Sequence, residues 1–267
     1  MALKIAIIGG SGLMGKWFQR FFEGQGLEVL VADLDTPQTP EEVAALADVV
    51  IISVPIPQVK KVVKKVAPHL RADAALMDFT SVKQVPLAAM LDHFPGEVVG
   101  THPLFGPGEE SITGLTMVLC PGRGERWLNW LKDLLEKAGA RVKVTTATEH
   151  DRLMSVVQGL AHFTLIALGR AIRELGVSPQ DLEDFSTPTF ATLHGLTRRL
   201  FSQDPKLYAC IQLANPANRV ALRALEDSVA DILYFIQRQN PDGLVRLIES
   251  VKEGFIQEKQ TGEEETS

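Results

Sequence analysis

The sequence predicts an α/β protein in which a doubly wound parallel sheet forms the N-terminal half and an all-α domain forms the rest. Two observations carry this. Over the first 145 residues short β-branched runs alternate with helical segments, the pattern of a sheet covered by helices on both faces. After Thr145 the strand pattern stops and helical periodicity continues almost to the end. The expected domains are therefore residues 1–145 and 146–267.

The strands are expected at Leu3 to Ile8, Leu27 to Ala32, Val49 to Val54, Ala75 to Met77, Val98 to Val99, Thr116 to Cys120 and Val142 to Val144. Runs such as Val49-Val50-Ile51-Ile52 lack the alternation of a half-exposed strand, which suits strands buried on both faces. Helices fit between them, for example Gly12 to Glu23 and Arg126 to Ala138. Thr148 and Asp151 have capping-box spacing with Asp in place of Glu, which predicts a helix from there to about Gly176. Such a helix is about 40 Å long. From Leu160 to Leu168 it is apolar nearly all round, and a small helical domain offers little to cover it. The expected solution is a homodimer formed through the helical domain. The acid-rich tail, Gln257 to Ser267, is expected to fray.

Composition narrows the function. Hydrophobic residues make up 45% of the 267 and charged ones 22%, which is ordinary for a globular chain. A net charge of -6 and the lack of a Lys/Arg run argue against nucleic acid as partner. Cys120 and Cys210 have no CxxC spacing, so neither a zinc site nor a disulfide framework is expected. With no leader and no 18-residue apolar stretch read from the sequence, the expected setting is cytoplasmic and off the membrane.

The strand ending at Ile8 runs into Gly9-Gly10-Ser11-Gly12-Leu13-Met14-Gly15, where Gly10, Gly12 and Gly15 form GxGxxG at a strand-to-helix turn. In this Rossmann fingerprint Gly10 is expected to permit the tight turn, Gly12 the approach of a pyrophosphate, and Gly15 close helix packing. Ser11, Leu13 and Met14 complete the loop, and the helix N-terminus offers N–H groups to phosphate. The second strand ends at Asp33, 18 residues after the last glycine. That is close to the spacing of about 20 at which a carboxylate binds the adenosine ribose. An acid there repels a 2′-phosphate, so NAD is expected over NADP; Asp35, past the strand end, is a competitor. Ser53 and Pro55, after the third strand, are expected to line the cofactor side.

Two polar, glycine-punctuated loops should also emerge at the carboxyl edge: Asp78 to Lys83 and Gly100 to Pro107. A histidine there, His102, has the chemistry of a general base near neutral pH, and Ser81 could orient it or a substrate. The ordered stretches GGSGLMG, VIISVPI, TSVK, GTHPLFGPG, EHDRLMSVVQGLAHF, RLFSQDPKLYA and NPANRVAL resemble the prephenate dehydrogenase family. The likeness is closest to enzymes that carry this dehydrogenase behind a chorismate mutase; no mutase segment is read here.

The resemblance implies NAD-dependent oxidative decarboxylation of prephenate to 4-hydroxyphenylpyruvate, a step of tyrosine biosynthesis, with no metal. It implies that His102 accepts the ring-hydroxyl proton, that Ser81 hydrogen-bonds this histidine, and that Lys83 serves substrate binding or local electrostatics. Gln158 and His162 share a helix face, and the resemblance places that face at the substrate. His150, twelve residues before His162, points about 120° away in a regular helix and reads as capping or packing. Asn215-Pro216 reads as N-cap and first helical residue, putting Arg219 in an opening turn where the resemblance expects a substrate carboxylate; Arg198 and Arg199 rank second. Arogenate or 4-amino-4-deoxyprephenate could replace prephenate. A β-hydroxyacid dehydrogenase would be expected to carry a catalytic Lys on the helix that here bears Gln158 and His162. A non-catalytic NAD-binding regulator would be expected to lose His102, Ser81 and Arg219.

Overall fold

A computed structural model describes residues 3–260. The chain runs β1 (Lys4–Ile8), α1 (Leu13–Gly24), β2 (Glu28–Ala32), α2 (Pro40–Leu46), β3 (Val49–Ile52), α3 (Val59–Val66), β4 (Ala75–Asp78), α4 (Gln84–His93), β5 (Glu97–Pro103), β6 (Thr116–Arg123), α5 (Arg126–Lys137) and β7 (Arg141–Val144). Helices follow: α6 (Ala147–Met154), a π-helical segment (Ser155–Leu160), α7 (Ala161–Leu175), α8 (Pro179–Asp184), α9 (Pro188–Phe201), α10 (Pro205–Ala214), α11 (Asn218–Gln237) and α12 (Pro241–Gln260). All seven expected strands form. The chain divides into two compact units at Asn218/Arg219.

The sheet order is β2-β1-β3-β4-β5-β6-β7, so the winding turns back between β1 and β3, where a crevice opens at the carboxyl edge. Successive residues of β1 enter opposite cores: Ile5 and Ile7 pack with Trp17, Phe18 and Phe22 of α1, Ala6 and Ile8 with Val43, Val59 and Val63 of α2 and α3. Each buried Ile or Val among these contributes about 1.5–3 kcal/mol.

The sheet is not wholly parallel, which corrects the sequence expectation. β6 pairs antiparallel with β5, and β7 parallel with β6. The link from Pro103 to Thr116 contains no helix, so the chain stays at the carboxyl edge and runs straight back; a parallel return needs a crossover.

Two helix starts also differ. Thr146, not Thr148, caps α6 by accepting from the Glu149 N–H, which frees Asp151 for the interior. Helix α11 starts at Asn218 rather than after Asn215: the Asn215 side chain donates to the Asp151 carbonyl and accepts from the Ala217 N–H, making a local turn that delays the helix. The long helix does end at Gly176, in the left-handed conformation.

Helix α7 has no buried residue within the chain. The run Ala147–Leu175 is long and apolar enough to cross a membrane by length and composition, contrary to the sequence reading. The expected tail from Gln257 is helical to Gln260, and residues 261–267 lie outside the described ones.

Candidate active site

The glycine loop shows a cradle for a dinucleotide. The left-handed conformation of the turn falls on Gly9, with φ +85° and a Cβ that would lie 2.5 Å from the Ser53 carbonyl oxygen, rather than on Gly10, where a Cβ would instead meet the Val31 side chain at 2.7 Å. A Cβ on Gly15 would meet the Gly10 Cα at 2.5 Å, so α1 seats directly on the loop. Around Gly12 the nearest atom to a Cβ is 3.4 Å away, which leaves room for a phosphate there. No side chain caps α1, so its first-turn N–H groups are available to an anion. Asp33 accepts from the Ser11 N–H (3.0 Å) and the Leu34 N–H (2.8 Å), which holds the carboxylate at the end of β2 beside the loop, while Asp35 is exposed beyond it. Ser53 donates its N–H to Ile8 and sits half-buried against the loop, whereas Pro55 is exposed. Leu13 is exposed, and Met14 reaches the cavity described next. These residues fit a bound dinucleotide.

His102 stands where β5 outruns β4. Ladder pairing with β4 ends at Gly100, and beyond it only β6 continues the ladder, so His102 projects past the end of β4. It is 2% exposed and lines a cavity of about 390 Å³ that Met14, Ser81, Gln158, His162 and Arg199 also border. Its Nδ1 lies 2.9 Å from Nε2 of His150, whose Nδ1 lies 2.8 Å from Oδ1 of Asp151; its Nε2 lies 3.3 Å from Nε2 of Gln158. Burial, then the neighbouring His150 and Lys83, pushes the His102 imidazole well below the usual histidine range, so it is neutral at neutral pH.

The helical backbone explains why His150 is a partner here. A π turn holds about one residue more than an α turn, so the helix beyond Ser155–Leu160 is offset by about 100°. The separation of His150 from His162 falls from about 120° to about 20°, onto one face. The carbonyl of Gly159 in this segment accepts from Gln212 Nε2 at 2.8 Å.

The remaining expected residues divide. Lys83 is fully buried behind the site and does not line the cavity, which corrects a direct substrate role: its ammonium donates to Asp78 and to the Thr101 carbonyl. Burial lowers its pKa, and Asp78 partly offsets this. Asp78 also accepts from the Thr101 and Thr80 N–H groups, so the pair pins β5 just before His102. Ser81 borders the cavity, but among the described residues no hydrogen bond joins it to His102. Gln158 Oε1 and His162 Nδ1 are buried without partners, two polar atoms for a ligand to satisfy. The His162 ring meets Tyr208 edge-on at 4.8 Å, and burial lowers its pKa. Arg199 lines the cavity while Arg198 does not. Arg219 is exposed in the first turn of α11, in the second compact unit. Among the described residues no group of three or more His, Cys, Asp or Glu is placed to hold a metal.

Comparison with known proteins gives a consistent picture. Residues 24–144 match the family described as "Prephenate dehydrogenase, nucleotide-binding domain" and residues 146–250 that described as "Prephenate dehydrogenase, dimerization domain". The chain is similar to the "Probable arogenate/prephenate dehydrogenase" of Methanocaldococcus jannaschii, 33% identical over 97% of this chain and 63% of that protein. It thus spans somewhat under two thirds of that relative's length. It is also similar to the 4-amino-4-deoxyprephenate dehydrogenase of Streptomyces pristinaespiralis, 30% identical over 93% of this chain and 90% of that protein. Its fold is that of prephenate dehydrogenase from A. aeolicus solved with hydroxyphenyl propionate and NAD+, with a TM-score of 0.75, 22% identity, and coverage of 96% and 98% of the two chains. With a glycine cradle, a buried histidine beside a cavity and two matched domains, this chain belongs to the prephenate dehydrogenase family, whose members are dehydrogenases of prephenate, arogenate or 4-amino-4-deoxyprephenate.

Proposed function

We propose that this chain oxidatively decarboxylates prephenate to 4-hydroxyphenylpyruvate in the cytoplasm, with NAD as oxidant. NAD, held on Gly9 to Gly15 with its ribose on Asp33, supplies the hydride acceptor. His102 Nε2 takes the proton of the ring hydroxyl as hydride leaves the same carbon. The electron pair of the C–CO2 bond then enters the ring, and the oxygen takes its proton back from His102. Aromatisation drives this, so the protein supplies orientation, a base and cations for the substrate's carboxylates. Arg199 is the cation bordering the cavity, and a substrate-carboxylate role for Arg219 is proposed on the family resemblance alone. Ser81, Gln158 and His162 contact the substrate, and Lys83 acts from behind the site, through the placement of β5 and through its charge near His102.

One observation carries the choice of prephenate: among the described residues that line the cavity none is acidic, and Arg199 is a cation. A side-chain ammonium, as in arogenate, would have no carboxylate to pair with. Arogenate is the second reading, because the unpartnered Gln158 Oε1 is an acceptor an ammonium could use. Side-by-side assays of NADH production on prephenate, arogenate and 4-amino-4-deoxyprephenate test this. Prephenate should give the highest kcat/KM; a higher value for either amino compound overturns the choice.

We also assign residues 1–145 to cofactor binding and 146–267 to substrate binding and pairing with a second copy. The uncovered apolar surface of α7, with Phe163 40% exposed, supports a homodimer. The continuous helical run Ala147–Leu175, of which α7 is the last part, carries His150, Gln158 and His162 to the edge where His102 stands, which ties it to the sheet rather than to a bilayer.

A further inference from the structure

We propose that His150 and Asp151 are positioning residues for His102, forming a relay that keeps His102 Nε2 unprotonated toward the cavity and receives the positive charge when that nitrogen takes a proton. This rests on the reading of His102 as the base.

The argument begins at Asp151, which is fully buried and as a carboxylate can only accept. It accepts from the backbone N–H groups of Lys83 (2.7 Å) and Gln84 (3.0 Å) at the start of α4, a position that favours an anion. Burial pushes its pKa up, but hydrogen bonds from His150 and these two N–H groups outweigh that and hold it below the usual carboxylate value. The nitrogen of His150 facing it at 2.8 Å, Nδ1, must therefore carry hydrogen. A neutral imidazole has one N–H, so His150 Nε2 presents a lone pair to His102 Nδ1 at 2.9 Å. Two lone pairs cannot face each other at that distance. His102 Nδ1 then carries the hydrogen, and His102 Nε2 is a free base on the cavity side, into which the Gln158 amide can donate.

When the substrate O–H bond breaks and His102 Nε2–H forms, the charge has two resting places. On His102 it is buried and faces Lys83. Transfer of the Nδ1 proton breaks His102 Nδ1–H, forms His150 Nε2–H, and leaves the cation on His150 against the Asp151 carboxylate. The reverse transfer returns the proton to the product oxygen, so none is gained or lost. The titratable and charged groups around His102 are His150 and Asp151 from α6, the Lys83–Asp78 pair behind β5, Cys120 of β6, and His162, Arg199 and Tyr208 across the cavity. Of these only Asp151 offers an anion not already paired with a lysine.

The test uses the full chain and three variants. In His150→Gln the side-chain oxygen can accept from His102 Nδ1 but cannot take its proton. We expect kcat to fall on the order of 10²-fold, with KM for prephenate and NAD affinity unchanged, and the acidic limb of the kcat/KM profile to move from its parental position. Asp151→Asn should cost on the order of 10²- to 10⁴-fold in kcat, because an amide no longer dictates the His150 tautomer. His150→Gln with kcat within about twofold of the parent and an unmoved limb overturns the relay. So does a loss shared equally by kcat, NAD affinity and thermal stability, which is the mark of a packing role. His102→Asn, run in parallel, separates the two claims: if it keeps the parental kcat, the base assignment fails rather than the relay.

Discussion

The sheet and the helices that follow it solve burial in opposite ways. Strands β1, β3 and β4 are buried along almost their whole length, with helices of the same chain on both faces. Helix α7 is mostly apolar, yet among the described residues it buries none of its own and leaves Phe163 and its neighbours facing outward. A layered α/β sheet completes its own core, whereas a helix that is apolar on most sides must borrow a surface. The candidate site lies between these regimes: His102 comes from the sheet, and His150, Gln158 and His162 from the continuous helical run Ala147–Leu175 that ends in α7.

That contrast can be broken from either side, and the largest effect should come where the two meet. His102→Asn should lower kcat by about 10²- to 10⁴-fold without loss of thermal stability, since the residue contributes chemistry rather than packing; steady-state kinetics beside a melting curve will show this. In the sheet half, Phe18→Ala should cost about 3–5 kcal/mol in urea unfolding, because its fully buried ring stacks on Phe79. In the helical half Phe163→Asp should act through assembly instead. Sedimentation should show a shift from dimer to monomer, and an unchanged sedimentation coefficient would remove α7 from the interface.

Arg199→Ala should raise KM for prephenate about 10- to 100-fold, the loss of a charged hydrogen bond of about 1.5–3 kcal/mol, with NAD affinity intact. An unchanged KM would shift the carboxylate contact to Arg219. The smallest effect is in pH. The folded-state pKa of His102 is depressed, so below about pH 6.5 the unfolded chain binds a proton that the folded chain refuses. Stability should therefore decline as pH falls from 7 toward 5, and His102→Asn should flatten part of that slope in urea titrations at several pH values.

Much of this was legible in the amino-acid order. Apolar runs marked every strand, and the glycine spacing with Asp33 marked the cofactor crevice, because strand period and turn chemistry are local properties. His102 and Ser81 could be placed at the carboxyl edge for the same reason. Which of its two expected roles Lys83 could fill was not legible, because its burial depends on Asp78 and Thr101, brought beside it by sheet pairing. His150 was passed over because its direction was counted along a regular helix, and nothing in the run Ser155–Leu160 announces the extra residue of a π turn.

What the sequence alone determined is thus the α/β plan, the glycine cradle, the acid at the end of β2 and the histidine beyond β5, each set by residues near one another along the chain. Tertiary structure alone decided the reversal of β6, the burial of Lys83 against Asp78, and the alignment of Asp151, His150 and His102. These depend on contacts between distant segments, such as Asp151 with the start of α4, 67 and 68 residues away, and on a helical phase shift that reorients every later side chain.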